Sequence, residues 1–449
     1  MIQEKNKITV TLTSLGCPKN LVDSEIMIGF LKEDGFEIVE PHKPAHVHII
    51  NTCSFVGDAK AESLETIFTV AQQKEAGTLQ LLVVTGCLPQ RYAIELIKEI
   101  PEVDLFLGVG DYPKITEIIK NKLTGKKERN FVATAQFLPD HLTPRTQTTP
   151  FYTKYVKISE GCSHQCSFCT IPSIRGTLIS RKSQDVFQEI ETGVAHNVKE
   201  FNLVAQDLNE YGRDLEPRDS LFKLLTKLEI LEGDFWLRLL YMYPLQFPNK
   251  LIDLIKEHPH IIKYVDIPLQ HISDNLLKLM DRGSSSLYIH RLIDQLKTKI
   301  PEITLRTTFI VGHPGETDKD FDQLHKFIKD YEFQHVGVFK YSNEEGTPSF
   351  NMPDHVSDKI MEERLHILMS AQKEISQKLN QQYIGKTIKV LFEGESQETE
   401  LLYQGRHAGQ APDIDGITLI NSGSASIGSF CDVKITEAFE YDVLGEIVS

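Results

Sequence analysis

Residues 152–169 of the 449-residue chain read YTKYVKISEGCSHQCSFC, a β-rich run that leads directly into three closely spaced cysteines. Cys162, Cys166 and Cys169 have the spacing C-x3-C-x2-C, and thiolates at this density suit an iron–sulfur cluster or zinc. A structural zinc site needs four ligands, but no fourth cysteine or well-spaced histidine follows within the usual reach. His164 lies inside the motif, crowded by the flanking cysteines. Three thiolates on a cubane cluster instead leave one iron open for a substrate.

The chain around this motif alternates β-rich runs with amphipathic helical stretches from about residue 150 to residue 380. Six predicted strands have the sequences YTKYVKIS, EFNLVAQD, FWLRLLYMYP, KYVDIPLQ, ITLRTTFIVG and QHVGVFKYS. Helical stretches such as SLFKLLTKLEIL and SLYIHRLIDQLKTKI lie between them. Six βα units in series predict an α/β domain over 151–382, with a parallel sheet in an open or closed (β/α)6 barrel. Chemistry in such a barrel lies at the carboxyl ends of the strands.

The first 125 residues repeat one pattern three times: a β-rich run, a cysteine and an amphipathic helical stretch. ITVTLTSLGC ends at Cys17, HVHIINTC ends at Cys53 and LLVVTGC ends at Cys87. Strand–turn–helix units in series favour a parallel sheet, whose strands all end at one edge. We therefore expect a parallel α/β domain over 1–125 in which these three cysteines meet as metal ligands. The Pro- and Thr-rich segment 126–150 has no sustained periodicity and is predicted to be a linker.

Residues 383–449 are rich in β-formers, glycine and turns, which predicts a small antiparallel β-barrel. They hold four Lys and Arg against eleven Asp and Glu, a net charge of −7 within a chain total of −15. Such an acidic chain is a poor generic partner for phosphate backbones or anionic lipid. Cys431 alternates like a strand residue in SFCDVKI and is predicted to belong to the barrel core.

The expected compartment is the cytoplasm. No apolar run approaches the ~18 residues that a membrane helix needs, and the chain begins without an apolar signal core. In the cytoplasm the seven cysteines stay mostly reduced, so their spacing indicates metal or redox chemistry before disulfides. A length of 449 residues fits about three domains of ~150 residues each.

The cysteine motif, with Phe168 before its last cysteine and a β/α barrel around it, resembles the radical S-adenosylmethionine superfamily. The resemblance implies that Cys162, Cys166 and Cys169 hold a [4Fe–4S] cluster whose open iron binds the amino and carboxylate groups of S-adenosylmethionine. It also implies that an electron from the reduced cluster cleaves the sulfonium and yields a 5′-deoxyadenosyl radical, which abstracts hydrogen from an unactivated C–H bond. The protein supplies position and a dry site, with no catalytic side chain beyond the cluster ligands.

Two cysteine trios and a β-barrel tail resemble the methylthiotransferase family over essentially the whole chain. The resemblance implies a second [4Fe–4S] cluster on Cys17, Cys53 and Cys87 that handles the inserted sulfur, while a second S-adenosylmethionine supplies the methyl group. It also implies an open central barrel and a TRAM-like tail. Members modify either adenosine derivatives of tRNA or an aspartate of small-subunit ribosomal protein twelve. Strings similar to the ribosomal-protein aspartate branch are SLGCPKNLVDSE, NTCSFVGDAKAESLE, EGCSHQCSFCTIPSIRG, WLRLLYMYP, YVDIPLQH, RTTFIVGHPGET, KYSNEEGTP and QAPDIDG.

The family pattern further implies six residues that contact S-adenosylmethionine or line its pocket: Phe168, Gln206, Asp207, Arg306, Gly312 and Glu316. These assignments have structural alternatives. The alternatives are core packing for Phe168, helix capping for Asp207, an ion pair for Arg306 and Glu316, and an unliganded turn for Gly312. His313 stands in VGHPGET where the family commonly has an aromatic residue, so it receives no role. The basic string SRKS at 180–183 is predicted to be solvated surface.

Three functions compete for this sequence: a methylthiotransferase for ribosomal protein twelve, a tRNA methylthiotransferase, and an iron–sulfur carrier or zinc scaffold. A carrier is disfavoured because carriers normally complete four ligands per cluster. A tRNA-binding barrel should present Lys and Arg to phosphate, whereas an acidic barrel complements a basic ribosomal protein. We therefore predict methylthiolation at the β-carbon of an aspartate in ribosomal protein twelve, free or in the ribosomal subunit. The further expected partners are a sulfur donor and an electron donor, with no membrane.

Overall fold

The computed structural model describes residues 7–41, 43–397 and 399–448, which form three domains in chain order. No helix in these ranges is long and apolar enough to cross a lipid bilayer.

The amino-terminal domain is a parallel sheet covered by helices. Its strands are β1 (Thr9–Ser14), β2 (Glu37–Ile38), β3 (Val47–Thr52), β4 (Leu81–Gly86), β5 (Leu105–Leu107) and β6 (Asn130–Phe131). Its helices are α1 (Pro18–Glu33), α2 (Gly57–Glu75), α3 (Cys87–Glu99) and α4 (Ile115–Leu123). The strand order is β2-β1-β3-β4-β5-β6, and β3 and β4 are buried at every position, as expected for a parallel sheet covered on both faces. The parallel α/β fold predicted from the three repeats is confirmed.

The segment 126–150 is tied into the amino-terminal domain more closely than its composition predicts. Strand β6 lies within it and pairs in parallel with β5. Further along, Arg145 Nε donates to Glu25 Oε2 at 2.8 Å, and the Thr148 N–H donates to Glu25 Oε1 at 2.6 Å. Because Glu25 lies on α1, the segment packs against that helix before it enters the central domain.

The central domain contributes strands β7 (Thr153–Lys157), β8 (Ser159–Glu160), β9 (Ile179–Ser180), β10 (Glu200–Val204), β11 (Trp236–Leu239), β12 (Ile261–Asp266), β13 (Thr304–Val311) and β14 (His335–Lys340). Its helices are α5 (Ile171–Arg175), α6 (Ser183–Ala195), α7 (Leu221–Leu228), α8 (Asn249–Glu257), α9 (Asp274–Leu279), α10 (Ser286–Lys299), α11 (Asp318–Tyr331) and α12 (Asp358–Asn380). Six strands form one parallel sheet in the order β14-β13-β12-β11-β10-β7, while β8 and β9 form a short antiparallel ribbon. Since β14 and β7 end this sheet without pairing with each other, the barrel is open, as the resemblance implied.

Alternate side chains along the central strands face two different surroundings. One set packs against the helices in the largest hydrophobic core, to which Val156 and Phe201 belong. The other set faces the concave side, where Tyr264 packs in one cluster with Val22 of α1 and Leu391 of the carboxy-terminal domain. The concave side of the open sheet is therefore covered by the two flanking domains.

The carboxy-terminal domain is a closed five-stranded barrel made of β15 (Thr387–Glu395), β16 (Tyr403–His407), β17 (Thr418–Ser422), β18 (Phe430–Ala438) and β19 (Val443–Ile447). Neighbouring strands follow the order β15-β16-β17-β19-β18 around the barrel. All pairs are antiparallel as predicted except β17 with β19, which is parallel because the chain crosses over β18 before it returns. Cys431 lies on β18 and packs against the barrel core, in agreement with its predicted role.

Buried ion pairs fix this barrel to the central sheet. Glu200, the first residue of β10, accepts from Arg238 Nη2 at 2.8 Å and from Arg406 Nη2 of the barrel at 2.6 Å. Burial by itself raises the pKa of Glu200, but the two arginines together hold it at about 2. A second pair joins Arg306 Nη1 of β13 to Asp415 Oδ1 at 2.7 Å. The barrel is therefore attached near the first residues of the central strands, at the end opposite the cysteines.

The prediction that the string SRKS is solvated surface is wrong at Arg181. Its guanidinium is buried, with Nε 2.5 Å from Asp185 Oδ2 and Nη1 2.6 Å from Glu189 Oε2. Both carboxylates stand on α6, one and two turns after the arginine, so the helix that follows the string supplies the compensating charge.

Candidate active site

The cluster loop, residues 161–170, connects β8 to α5 and carries the three closely spaced cysteines. Gly161 opens it with a φ of +75°, and a Cβ there would lie 2.2 Å from a neighbouring carbonyl oxygen, so only glycine fits this turn. The Cys169 N–H donates to the Cys166 carbonyl at 3.1 Å, and the Ile171 N–H donates to Cys169 Sγ at 3.4 Å. Helix α5 therefore begins two residues after the last cysteine of the motif.

Side chains from the neighbouring strand ends hold the cluster loop. Arg282 Nη1 donates to Cys166 Sγ at 3.4 Å, and its guanidinium lies 4.0 Å from the centroid of the Tyr243 ring. His164 stacks on the same ring with a centroid separation of 3.9 Å. Its Nε2 lies 2.8 Å from Asp207 Oδ2. The loop is thus anchored to the chain that follows β10, β11 and α9.

The cysteines of this loop suit a cluster better than a single ion. Burial raises the pKa of Cys162 to about 11 and of Cys169 to about 12, so both thiols stay protonated unless a cation binds them. Thiolates on one zinc ion, at ~2.3 Å from the metal, stand about 3.8 Å apart. Within the described residues, the group of three with all ligand atoms inside 4.8 Å is His164, Asp207 and Glu210, which contains no cysteine. The three cysteines of the loop do not form such a single-ion group, and their role as cluster ligands stays a prediction.

The amino-terminal trio, Cys17, Cys53 and Cys87, stands at the carboxyl ends of the adjacent strands β1, β3 and β4. Cys17 precedes α1, Cys53 follows β3 directly and Cys87 is the first residue of α3. A Cβ on Gly16 would lie 3.1 Å from Cys53 Sγ, so glycine allows the first turn to approach the second. Burial raises the pKa of Cys53 and raises that of Cys87 to about 12. The predicted meeting of the three cysteines at one edge is observed, while their role as ligands stays a prediction.

A buried quartet of charges, Asp23, Lys157, Glu160 and Arg175, joins the two cysteine sites. Arg175 Nη1 lies 2.7 Å from Asp23 Oδ2 and 3.2 Å from Glu160 Oε2. Lys157 Nζ contacts Asp23 and lies 2.7 Å from Glu160 Oε2. Arg175 Nη2 also donates to Cys87 Sγ at 3.4 Å. Since Arg175 ends the short helix α5, which directly follows the cluster loop, one helix links the cluster loop to the amino-terminal trio.

A second contact ties the amino-terminal domain to the far edge of the central sheet. Glu344, in the loop after β14, is buried and binds Lys60 Nζ at 2.7 Å and Arg91 Nη1 at 2.6 Å. The Gly57 N–H at the start of α2 donates to Ser342 Oγ at 3.0 Å. The amino-terminal domain therefore bridges both edges of the open sheet, β7 through the quartet and β14 through Glu344.

Several buried polar atoms at the carboxyl ends of the central strands have no hydrogen-bond partner among the described residues. They are Gln206 Oε1, Asn209 Oδ1, Asp266 Oδ1 and Gln270 Oε1. Buried polar groups in proteins are almost always paired, so such a cluster indicates a polar ligand. These four oxygens are acceptors, and S-adenosylmethionine carries amino and hydroxyl groups that can donate to them.

Three of the residues implied as cofactor contacts lie near the cluster loop. Phe168, within the loop, meets the His313 ring edge-on at 6.4 Å. Gln206 Nε2 donates to Glu160 Oε1 at 2.5 Å, which places the amide between the quartet and β10. Asp207 accepts the Asn209 N–H at 2.8 Å and so caps the short 3-10 helix Leu208–Glu210, in addition to its contact with His164. Contact with S-adenosylmethionine stays a prediction for all three.

The other three implied residues lie in two different places. Arg306 points to Asp415 of the barrel, near the opposite end of the sheet. Gly312 and Glu316 lie in the turn after β13, where the Gly312 N–H donates to the Glu316 carboxylate and Arg364 Nη1 binds it at 3.0 Å. The ion-pair alternative therefore holds for both charged residues, but with separate partners. Their contact with S-adenosylmethionine also stays a prediction.

His313 is fully buried beside the cluster loop, with Nε2 3.2 Å from Ser167 Oγ. Burial lowers the pKa of His313 to about 4, so the ring is neutral near pH 7. Its edge-on contacts with Phe168 and Tyr341 are those of an aromatic residue, which explains how histidine occupies this position.

Sequence reasoning missed the residues that link the sites: Lys19, Arg175, Tyr243, Arg282 and Glu344. Their contacts cross from one domain or loop to another, so no periodicity reports them. The sequence feature that could have indicated two of them is their closeness to the cysteines, because Lys19 follows Cys17 by two residues and Arg175 follows Cys169 by six.

Family profiles match three consecutive parts of the chain. Residues 9–108 match the uncharacterized protein family UPF0004, residues 156–328 the radical SAM superfamily and residues 384–448 the TRAM domain. The ribosomal protein uS12 methylthiotransferase RimO of Geotalea uraniireducens is 49% identical and covers 98% of this chain and 99% of its own. Its namesake from Geobacter sulfurreducens is 47% identical and covers 99% of both chains.

Solved structures agree on the fold. TsrM from Kitasatospora setae, a radical S-adenosylmethionine methyltransferase, superposes with a TM-score of 0.56 at 15% identity over 76% of this chain and 77% of its own. OxsB, a cobalamin-dependent S-adenosylmethionine radical enzyme, gives 0.51 at 14% identity over 83% and 56%. Fold, cluster loop and superfamily profile together define a radical S-adenosylmethionine enzyme, whose family implies a [4Fe–4S] cluster and S-adenosylmethionine. The near-full-length relatives narrow this further: the chain belongs to the RimO family of ribosomal protein uS12 methylthiotransferases.

Proposed function

We propose that this enzyme inserts a methylthio group at the β-carbon of an aspartate in ribosomal protein uS12, in the cytoplasm, with two [4Fe–4S] clusters. One observation carries the proposal: two cysteine trios stand at the carboxyl edges of two parallel sheets, and α5 with Arg175 joins them directly. A reaction that both breaks a C–H bond and adds sulfur needs two such sites facing one substrate. The family membership of the chain supports the same activity.

The first trio, Cys162, Cys166 and Cys169, holds the cluster that supplies the electron for cleavage of S-adenosylmethionine. The protein around it performs three tasks. Arg282 donates to Cys166 Sγ and places a positive charge beside the thiolates. The unpaired oxygens after β10 and β12 receive the polar groups of the cofactor. The domains on the concave side exclude water from the interior of the sheet.

The second trio, Cys17, Cys53 and Cys87, holds the cluster that handles sulfur. Two buried thiols, Cys53 and Cys87, and the half-buried Cys17 stand on adjacent strand ends, and Arg175 Nη2 lies 3.4 Å from Cys87 Sγ, where its guanidinium can donate to a thiolate. A sulfur donor and an electron donor complete the reaction.

Working domain boundaries are 1–125, 126–150, 151–382 and 383–449.

The surface charge of the barrel supports a protein substrate over tRNA. Two of its four cations are already paired: Arg406 is buried against Glu200, and Lys389 binds Asp234 at 2.6 Å. The described part of the barrel exposes the carboxylates of Glu395, Glu400, Asp413, Asp432, Glu437 and Glu446. Ribosomal proteins are generally basic, so this surface attracts uS12 and repels a phosphate backbone.

Iron content tests the two-cluster assignment. Anaerobic reconstitution should give about eight irons per chain, since each [4Fe–4S] cluster holds four. Cys162→Ala should lower the count to about four and abolish 5′-deoxyadenosine formation. Cys53→Ala should also give about four but spare S-adenosylmethionine cleavage while it stops sulfur insertion. Cys431→Ala is the matched control, because Cys431 packs in the barrel, and should keep all eight. A wild-type count of four would refute the second cluster.

Mass spectrometry tests the substrate. A deletion strain should contain uS12 that lacks an increment of about 46 mass units, which corresponds to a methylthio group in place of hydrogen. Complementation with the wild-type chain should restore it. Loss of the same increment from tRNA, with uS12 unchanged, would overturn the proposal.

A further inference from the structure

Buried cations in this protein almost all have a carboxylate partner. Eight Lys and Arg residues are buried in the described chain: Lys19, Lys157, Arg175, Arg181, Arg238, Arg282, Arg364 and Arg406. Six of them form ion pairs within 4.0 Å. Among the described residues, Lys19 and Arg282 have no carboxylate at that distance. Burying an unpaired charge is costly, so Lys19 and Arg282 are each expected to have a partner other than a carboxylate of the chain.

Arg282 has such a partner within the chain, because its Nη1 donates to Cys166 Sγ at 3.4 Å. Lys19 does not. Its side chain is 8% exposed, its Nζ lies 3.4 Å from the centroid of the Tyr241 ring, and its one hydrogen bond is a long contact of 3.5 Å to the Ala205 carbonyl. An ammonium carries three donors, so after the Ala205 carbonyl and the Tyr241 ring at least one remains without a partner among the described residues.

Lys19 stands where the two cysteine sites meet. It lies in the first turn of α1, two residues after Cys17 of the amino-terminal trio. Its Nζ reaches across the domain interface to the chain after β10 and β11, next to Gln206 and its unpaired Oε1. A substrate that must reach both sites passes beside this ammonium.

Asp266 of the central sheet is the alternative carboxylate partner to consider for Lys19. Lys19 contributes to its electrostatic environment, but no oxygen of Asp266 lies within 4.0 Å of Nζ. Asp266 Oδ2 already accepts the Tyr241 N–H at 3.0 Å, and Arg306 Nε lies 3.9 Å from Oδ1. The quartet balances by itself, since it pairs two cations with two carboxylates. Lys19 is therefore left to bind an anion from outside the chain.

We propose that Lys19 binds the side-chain carboxylate of the target aspartate, an assignment that rests on the proposed function. The β-carbon of aspartate is bonded directly to its carboxylate carbon, so an ammonium that fixes the carboxylate also fixes the carbon to be modified. An asparagine at the same place would offer no charge to the buried ammonium, so Lys19 selects aspartate. The methionyl carboxylate of S-adenosylmethionine is the other carboxylate that Lys19 could bind, and the experiment below distinguishes it from the aspartate carboxylate.

The test measures binding of labelled uS12 peptides with Asp or Asn at the target position, by fluorescence anisotropy, to the reconstituted full-length enzyme. Wild type should prefer the Asp peptide. Lys19→Met should lower the ratio of Asp to Asn affinity about tenfold or more, because a buried charge pair is lost. Lys19→Arg, which keeps the charge, should retain most of the preference. Lys32→Met is the matched control, since Lys32 is exposed at the other end of α1, and should leave the ratio unchanged.

Cleavage of S-adenosylmethionine without peptide provides the second readout. The KM for S-adenosylmethionine should be the same in Lys19→Met and wild type. A raised KM with an unchanged Asp-to-Asn ratio would assign Lys19 to the cofactor carboxylate and overturn the proposal. An unchanged ratio with an unchanged KM would assign it a packing role with Tyr241 and also overturn it. Failure of the wild-type enzyme to modify either peptide or uS12 would instead refute the proposed function.

Discussion

The buried quartet offers the most direct test of how the domains are held together. Arg175→Met keeps most of the side-chain length but removes the guanidinium that binds Asp23, Glu160 and Cys87. Both carboxylates are buried, and Lys157 alone would then face the two of them. The substitution therefore leaves one buried negative charge without compensation, at the junction between the amino-terminal and central domains.

The expected loss of stability is large. Removal of one partner from a buried ion pair costs about 3–5 kcal/mol. An independent figure comes from Glu160: burial alone raises its pKa, but Lys157 and Arg175 together hold it at about 2, against an ordinary value of 4.5. That difference corresponds to about 3 kcal/mol at neutral pH, shared between the two cations. At about 2–4 °C per kcal/mol for a domain of 150–250 residues, the melting temperature should fall by about 6–20 °C.

The pH dependence has a definite sign. Because the folded-state pKa of Glu160 lies below its unfolded value, its contribution is fully present above pH 4.5 and is lost as the pH falls toward 2. The difference in unfolding free energy between the wild type and Arg175→Met should therefore be constant from pH 7.5 to about 5. It should narrow by about 1 kcal/mol between pH 4.5 and 3.5.

Scanning calorimetry of the cluster-free protein measures this difference without interference from acid-labile iron. Arg213→Met is the matched control, because Arg213 is 48% exposed and its ion pair with Glu210 is worth at most about 1 kcal/mol. Asp23→Asn in the Arg175→Met background should recover part of the loss, since it removes one uncompensated charge. A melting temperature within 1–2 °C of wild type would refute the reasoning, because the quartet would then contribute little to the interface.

Two further predictions concern the turn after β13 and the attachment of the barrel. Gly312→Ala should destabilise the protein by about 1–3 kcal/mol, since φ is +83° and the new Cβ would lie 2.1 Å from Met361 Cγ. Gly346→Ala, with φ of +82° and no neighbour within 4 Å, isolates the backbone cost, and equal melting temperatures for the two variants would contradict the packing argument. Glu200→Gln should leave the buried Arg238 without its carboxylate and Arg406 with Glu393 alone, cost about 3–5 kcal/mol and make the barrel sensitive to limited proteolysis. Proteolysis at the wild-type rate would contradict the attachment described above.

Much of the fold follows from local patterns in the sequence. The six central strands and the three strand–cysteine–helix units were predictable because hydrophobic periodicity and turn positions are local properties. Cys17, Cys53 and Cys87 met at one edge because parallel strands in one sheet end on one side. The short strands β2, β5 and β6 were not predictable, since two or three residues carry no periodicity.

The contacts between domains lay beyond sequence reasoning. Sequence position offers Glu316 as an ion-pair partner for Arg306, yet Arg306 binds Asp415, more than 100 residues away in the barrel. Arg181 looked like surface because its neighbours are polar, but α6 folds two carboxylates over it. Such ion pairs depend on how whole helices and domains pack against each other. No short stretch of a single sequence indicates that packing.

The quartet also constrains the order in which this protein is built. Asp23 lies 134 residues before Lys157 and 152 residues before Arg175, so it is synthesised long before either of its cations. At a translation rate of about 5–20 residues per second, the interval lasts about 7–30 s. During that time Asp23 has the Tyr112 hydroxyl of its own domain as a partner but neither of its cations, so its charge must remain hydrated. The edge that carries Cys17, Cys53 and Cys87 is therefore completed only after the cluster loop has left the ribosome, and an amino-terminal fragment expressed alone would lack the cations that close it.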